Sequence, residues 1–137
     1  MQKKIEKDLF RVWLTLRSEA LPSSSLIEEI LTMRSNAAAL KSKQGNVERR
    51  SFSLQSDLEL DEAKPLLEHM NWMREKCEGC FDKVSDFLSE KGSSGELSIY
   101  VISNQAAAYF DIPSHLIHEF IDAGLTLSVK FELDEEI

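Results

Sequence analysis

Cys77 and Cys80 form a Cys-x-x-Cys pair, CEGC, the spacing of a redox dithiol or of half a zinc site. Redox chemistry would need the first thiol at a helix N-terminus, where the dipole stabilises a thiolate, and a zinc site would need a second such pair, which the chain lacks. Both cysteines instead continue an apolar series with steps of four and three: Leu66, Met70, Met73, Cys77, Cys80, Val84 and Phe87. Core cysteines on one stripe of a helix are therefore the preferred reading. His115, His118 and Asp122 could share one helix face and ligate a transition metal, but two imidazoles and a carboxylate on a polar face read better as ordinary surface, so no metal site is assigned. His69 has no Ser or Cys nucleophile placed near it by the sequence.

Paired acids such as Glu28 and Glu29, or the run Asp134 to Glu136, lie in exposed stretches without the burial that tunes a general acid. The sequence has no Gly-rich phosphate loop, G-x-S-x-G elbow, H-E-x-x-H helix or calcium loop. No catalytic residue and no cofactor is assigned, and a binding module is the better expectation than an enzyme.

The elements that would position these groups follow from periodicity. Residues 9 to 17 alternate, with Phe10, Val12, Leu14 and Leu16 on one side and Arg11, Trp13, Thr15 and Arg17 on the other, which predicts a strand with one buried face. After Pro22, Ser25 and Glu28 suggest a capping box for a short helix burying Leu26, Ile27, Ile30, Leu31 and Met33. A turn at Gln44, Gly45 and Asn46 separates a possible strand, 38 to 43, from a better one, 47 to 55. From Asp61, a credible N-cap, the helical pattern runs to about Lys91; unbroken, such a helix would approach roughly 45 Å, with Gly79 as the place for a break. Residues 96 to 103 form the next strand, 104 to 113 a loop, 114 to 123 a third helix capped by Ser114, and a last strand buries Leu125, Leu127, Val129 and Phe131.

Alternating strands under amphipathic helices predict a single α+β domain over 1–137, a two-layer sandwich of ferredoxin-like type. Its mostly antiparallel sheet has four or five strands with the helices on one face. A short charged lead, 1–8, and an acidic tail, 132–137, flank it. The 137 residues suffice for one core, and 42% hydrophobic with 29% charged residues exclude a disordered or fibrous chain. No membrane-spanning run or secretory leader is apparent, and two unpaired cysteines fit a reducing compartment, so the expected location is the cytoplasm.

Taken in order, the strand LFRVWLTLRS, the KSKQGN turn before RRSFSLQS, the long helix and the close SHLIHEFIDAGLTLSVKFEL resemble a bacterial family of small proteins known as domain of unknown function 4279. The resemblance implies the α+β fold and a bacterial origin. Small members of such families sometimes serve as immunity proteins against secreted toxins. No functional residue is carried over, since the family's activity is not established.

Net charge is −8 and unevenly spread: residues 1 to 54 hold ten Lys/Arg against six Asp/Glu, and residues 55 to 137 hold six against eighteen. That disfavours direct nucleic-acid binding, which depends on a basic footprint. It suits a basic protein partner. One candidate surface is thus acidic, with Glu59, Asp61, Glu62, Glu68, Glu75, Glu78, Asp82 and Asp86 on or entering the long helix. Its most concrete form is an immunity protein neutralising a basic nuclease-type toxin. The other is the polar sheet face of a small-ligand sensor or enzyme, where Arg11, Arg17 and Arg49 could receive an anionic metabolite and Trp13 or Tyr100 stack on it, among Thr15, Ser51, Ser53, Gln55, Ser98, Thr126, Ser128 and Lys130. The competing reading of that face is a solvated surface with Trp13 covered by the 104 to 113 loop.

Overall fold

The computed structural model describes residues 5–20, 24–37 and 51–137. The possible strand at 38 to 43, the Gln44–Asn46 turn and Arg49 lie outside the described residues. Four strands, β1 (Asp8–Ser18), β2 (Ser51–Gln55), β3 (Ser93–Ser103) and β4 (Thr126–Leu133), form one sheet in the order β2-β1-β3-β4. β1 runs antiparallel to both β2 and β3, and β4 runs parallel to β3. The helices are α1 (Ser24–Leu31), α2 (Leu66–Cys77), α3 (Phe81–Ser89) and α4 (His118–Asp122). α1 packs on β2, α2 on β1 and α3 on β3. The architecture is a two-layer α+β sandwich with a mixed four-stranded sheet.

Register explains the core. Leu14 aligns with Leu54 and Leu97, and Val12 with Ile99, so the period-two side chains of three strands stack on one face. These residues are buried with Leu16, Phe52 and Val101 beneath Ile27, Leu31, Met70, Met73, Cys77, Val84 and Phe87. Ile30 points outward instead, and Ser25 lies inside α1 rather than at its cap.

The expected single long helix is two helices. Gly79 adopts φ +78°, a left-handed conformation that ends α2 and lets Cys80 become the N-cap of α3. The N-cap of α2 is Pro65, so Asp61 is not a helix cap; its carboxylate accepts the Ala63 N–H at 2.8 Å in the preceding turn. The third helix is also divided, into a 3₁₀ turn Ser114–Leu116 and α4. Pro113, not Ser114, is the cap of that turn.

Gly95 sits where a side chain could not. A Cβ there would come within 2.6 to 2.9 Å of methyl carbons of Leu16, Leu125 and Leu88. Its bareness lets α3 and the start of β4 close on the sheet. Beyond that point no described helix covers β4, and Val129 and Phe131 are about half exposed rather than buried. Alternation marks their face as apolar but does not say whether a helix covers it.

Candidate functional site

Among the described residues, the opposite face of the sheet is open and polar. Trp13 on β1 and Tyr100 on β3 stand on adjacent central strands, because Trp13 aligns with Ser98 and Arg11 with Tyr100. Their ring centroids are 4.6 Å apart at an interplanar angle of 53°. The indole is fixed from the side: Trp13 Nε1–H donates to Asp57 Oδ1 at 2.7 Å. Asp57 belongs to the 3₁₀ turn Ser56–Leu58 that follows β2. The loop 104–113 does not roof Trp13, since Ala108, Phe110 and Ile112 pack toward the core and the Phe110 ring meets Phe10 on the helix side.

Around the aromatic pair lies a cavity of about 310 Å³. Every described residue that alternation assigns to this face lines it except Arg11 and Ser128, and Ser94, Gly95 and Glu96 join them. Hydroxyl groups dominate the walls. Such a surface offers hydrogen bonds that can serve as donor or acceptor, beside a flat apolar platform.

A charged strip crosses β3 and β4 at one side. Lys130 Nζ stands 3.3 Å from Glu96 Oε1 and 5.1 Å from the Tyr100 ring centroid, and donates to Tyr100 Oη at 3.4 Å. Ser98 Oγ–H donates to Glu96 Oε1 at 2.7 Å. Hydrogen bonds from Ser98 and Ser128 hold the Glu96 carboxyl below its ordinary range, with Lys130 adding to the effect. Hydrogen bonding to Tyr100 and the neighbouring Glu96 hold the Lys130 ammonium above its usual value. Both groups are charged near neutrality, which suits binding rather than proton transfer.

The expected anion receivers separate. Arg11 Nε donates to Glu62 and lies 3.9 Å from Asp57 Oδ2, so two carboxylates already neutralise it at the rim. Arg17 is exposed on the cavity wall and makes no ion pair among the described residues. Asp57 and Glu62, which orient Trp13 and Arg11, come from the connection after β2, and only their acidity near a strand end hinted at the role.

The acidic candidates differ in their partners. Glu59 pairs with Lys76 at 3.7 Å, Glu68 with Lys64 at 3.9 Å, and Glu62 with Arg11. Glu75, Glu78, Asp82 and Asp86 remain exposed around the α2–α3 junction, on the helix side of the sandwich.

Other constellations resolve into structure. The heptad places Cys77 in the core, where burial, and secondarily the adjacent Cys80, push its thiol up to about 12; both cysteines are free. His69 does have a serine beside it: Ser56 Oγ lies 2.7 Å from Nδ1, brought there by the turn after β2. Both residues are fully buried, out of reach of any substrate. His118 Nδ1 is 3.2 Å from the Ser114 carbonyl. No group of three or more His, Cys, Asp and Glu among the described residues could hold a metal ion. No helix among them is long and apolar enough to cross a membrane. No protein-family model, curated protein or solved structure matches the chain.

Proposed function

We propose that the protein is a non-catalytic binding module that recognises a protein partner through the open face of its sheet. The observation that carries this reading is the Trp13–Tyr100 pair, held by Asp57 in the floor of a hydroxyl-lined cavity. Trp and Tyr offer large contact area with few rotamers to lose, and prior fixing lowers the entropic cost of association. In its most concrete form the partner is a bacterial toxin with a basic surface, and the chain acts as an immunity protein. The net charge of −8 and the exposed Glu75, Glu78, Asp82 and Asp86 would steer such a partner toward the chain, leaving short-range specificity to the sheet face.

The test is co-expression with a toxin domain encoded beside the gene. Wild type protects the cells, Trp13→Ala with Tyr100→Ala abolishes protection, and reversing the four acids slows association more than it raises dissociation. Protection that survives the aromatic double substitution sinks the sheet-face reading.

One observation favours a second reading, an anionic small ligand: Arg17 is exposed on the cavity wall and makes no ion pair among the described residues. A thermal-shift screen of carboxylates and phosphates separates the two. A ligand at about a hundred times its dissociation constant stabilises by about 2.7 kcal/mol, whereas the protein-partner reading expects no shift.

A further inference from the structure

The two edges of the sheet are finished differently. Along β2, Asn36 acts as a substitute strand: its N–H donates to the Ser53 carbonyl at 3.1 Å, its Nδ2 to the Gln55 carbonyl at 2.9 Å, and its Oδ1 accepts the Gln55 N–H at 2.8 Å. Along β4 no such cover is present among the described residues. The Asp134 N–H donates to the Ser103 carbonyl at 2.8 Å, which places the backbone groups of the even-numbered β4 residues toward β3. Alternation then turns the N–H and C=O of Leu127, Val129, Phe131 and Leu133 to the outer edge. The side chains of the last three are 53, 47 and 48% exposed. A long edge strand with neither Pro nor an apolar cover is a template for pairing.

We infer that two copies of the chain associate by antiparallel pairing of their β4 edges, with Phe131 on the two-fold axis. Charge selects both the occupant and the register. Only registers that set odd residues opposite odd residues satisfy the outward backbone groups. Centring on Lys130 would put Lys130 against its own copy, and centring on Glu132 would do the same for that carboxylate. Centring on Val129 sets both charges against neutral side chains. Centring on Phe131 sets Lys130 of each copy opposite Glu132 of the other, twice by symmetry, on the polar face. It also sets Val129 opposite Leu133 and Phe131 opposite itself on the apolar face. The edge is thus self-complementary in backbone, apolar and charged groups, as an isologous interface requires. The product is a continuous eight-stranded sheet with both cavities on one face.

The inference is independent of the proposed role of the sheet face. Sedimentation equilibrium of the wild-type chain is expected to show a monomer–dimer equilibrium, and Phe131→Lys a monomer with unchanged far-UV circular dichroism. Lys130→Glu and Glu132→Lys each weaken the dimer about tenfold, and the double exchange restores it. Amide exchange at Val129, Phe131 and Leu133 slows as concentration rises, while Lys130 and Glu132 are protected throughout. A wild-type monomer at every concentration, a dimer indifferent to Phe131→Lys, or a double exchange no better than the singles overturns the proposal.

Discussion

Ser56 Oγ and His69 Nδ1 meet 2.7 Å apart in a fully buried bridge between the end of β2 and α2. Its proton directions follow from the partners. His69 Nε2 faces the Asp61 carbonyl at 3.1 Å, which can only accept, so Nε2 carries the hydrogen and Nδ1 accepts from the Ser56 hydroxyl. Ser56 Oγ in turn accepts the Val12 N–H at 2.9 Å. Burial lowers the His69 pKa from 6.5, against the opposing backbone hydrogen bond to Asp61 and the charges of Asp57, Glu62 and Glu68, and so favours this neutral form in the fold.

Stability should accordingly fall on acidification. A histidine with a lowered folded pKa leaves the unfolded chain binding the extra proton, so stability is complete above about pH 6.5 and is lost as pH drops below it. The slope is at most about 1.4 kcal/mol per pH unit until the folded pKa is reached. Urea melts between pH 8 and 5 check this. His69→Gln should flatten the profile while lowering stability at pH 8 by about 1–3 kcal/mol, because its amide cannot satisfy both Ser56 and Asp61 in the imidazole's geometry. A wild-type profile flat across that range contradicts the lowered pKa of the buried imidazole.

The two cysteines should differ in reactivity. Cys77 is buried at the end of α2 with its thiol pushed up to about 12, and Cys80 is half-buried at the start of α3. A thiol reagent at pH 8 should modify Cys80 first and Cys77 only on the timescale of unfolding. Cys77→Ala should cost about 1 kcal/mol and Cys80→Ala less. Mass mapping of the first adduct onto Cys77 would refute the order.

Why the sequence reveals the apolar stripe but not the break is visible at the same place. Val84 and Phe87 stay in phase with Met73 and Cys77 because the turn at Gly79 advances the chain without rotating the buried face away from the sheet. A heptad count cannot register such a turn. Alternation in β1 and β3 likewise shows which residues share the cavity face, since a period of two fixes the side of every residue once one is known. The anchors of that face were illegible. Asp57 and Glu62 reach Trp13 and Arg11 through long-range tertiary geometry that no local pattern encodes. The same holds for Asn104, whose side chain accepts the Lys7 N–H at 2.9 Å and donates to the Ile5 carbonyl at 2.7 Å.

Gly95→Ala should destabilise the chain by about 1–3 kcal/mol, the ordinary cost of an inserted methyl in a packed core. The atoms in the way are the methyl ends of Leu16, Leu125 and Leu88, which can yield in part. Trimming one of them tests the cause. Leu88→Ala should cost less in the Gly95→Ala background than alone, a coupling measurable by a double-mutant cycle of denaturant melts. Strict additivity would mean that contact with Leu88 is not what excludes a side chain at 95.

The rigidity of the aromatic pair rests on Asp57, and removing that carboxylate isolates its contribution. In a Trp72→Phe background the remaining indole, Trp13, reports on the cavity alone. Asp57→Ala leaves Trp13 Nε1–H without its acceptor and relaxes one of the two acids beside Arg11, which keeps Glu62. The expected result is a red-shifted emission, faster quenching by acrylamide and a stability loss of about 1 kcal/mol, the rim pair with Arg11 adding little because solvent screens it. Asp57→Asn, which retains an acceptor oxygen, should preserve the emission maximum. If Asp57→Ala leaves emission and quenching unchanged, the indole is held by its stack on Tyr100, and the partner affinity of the face should then follow substitutions at Tyr100 rather than at Asp57.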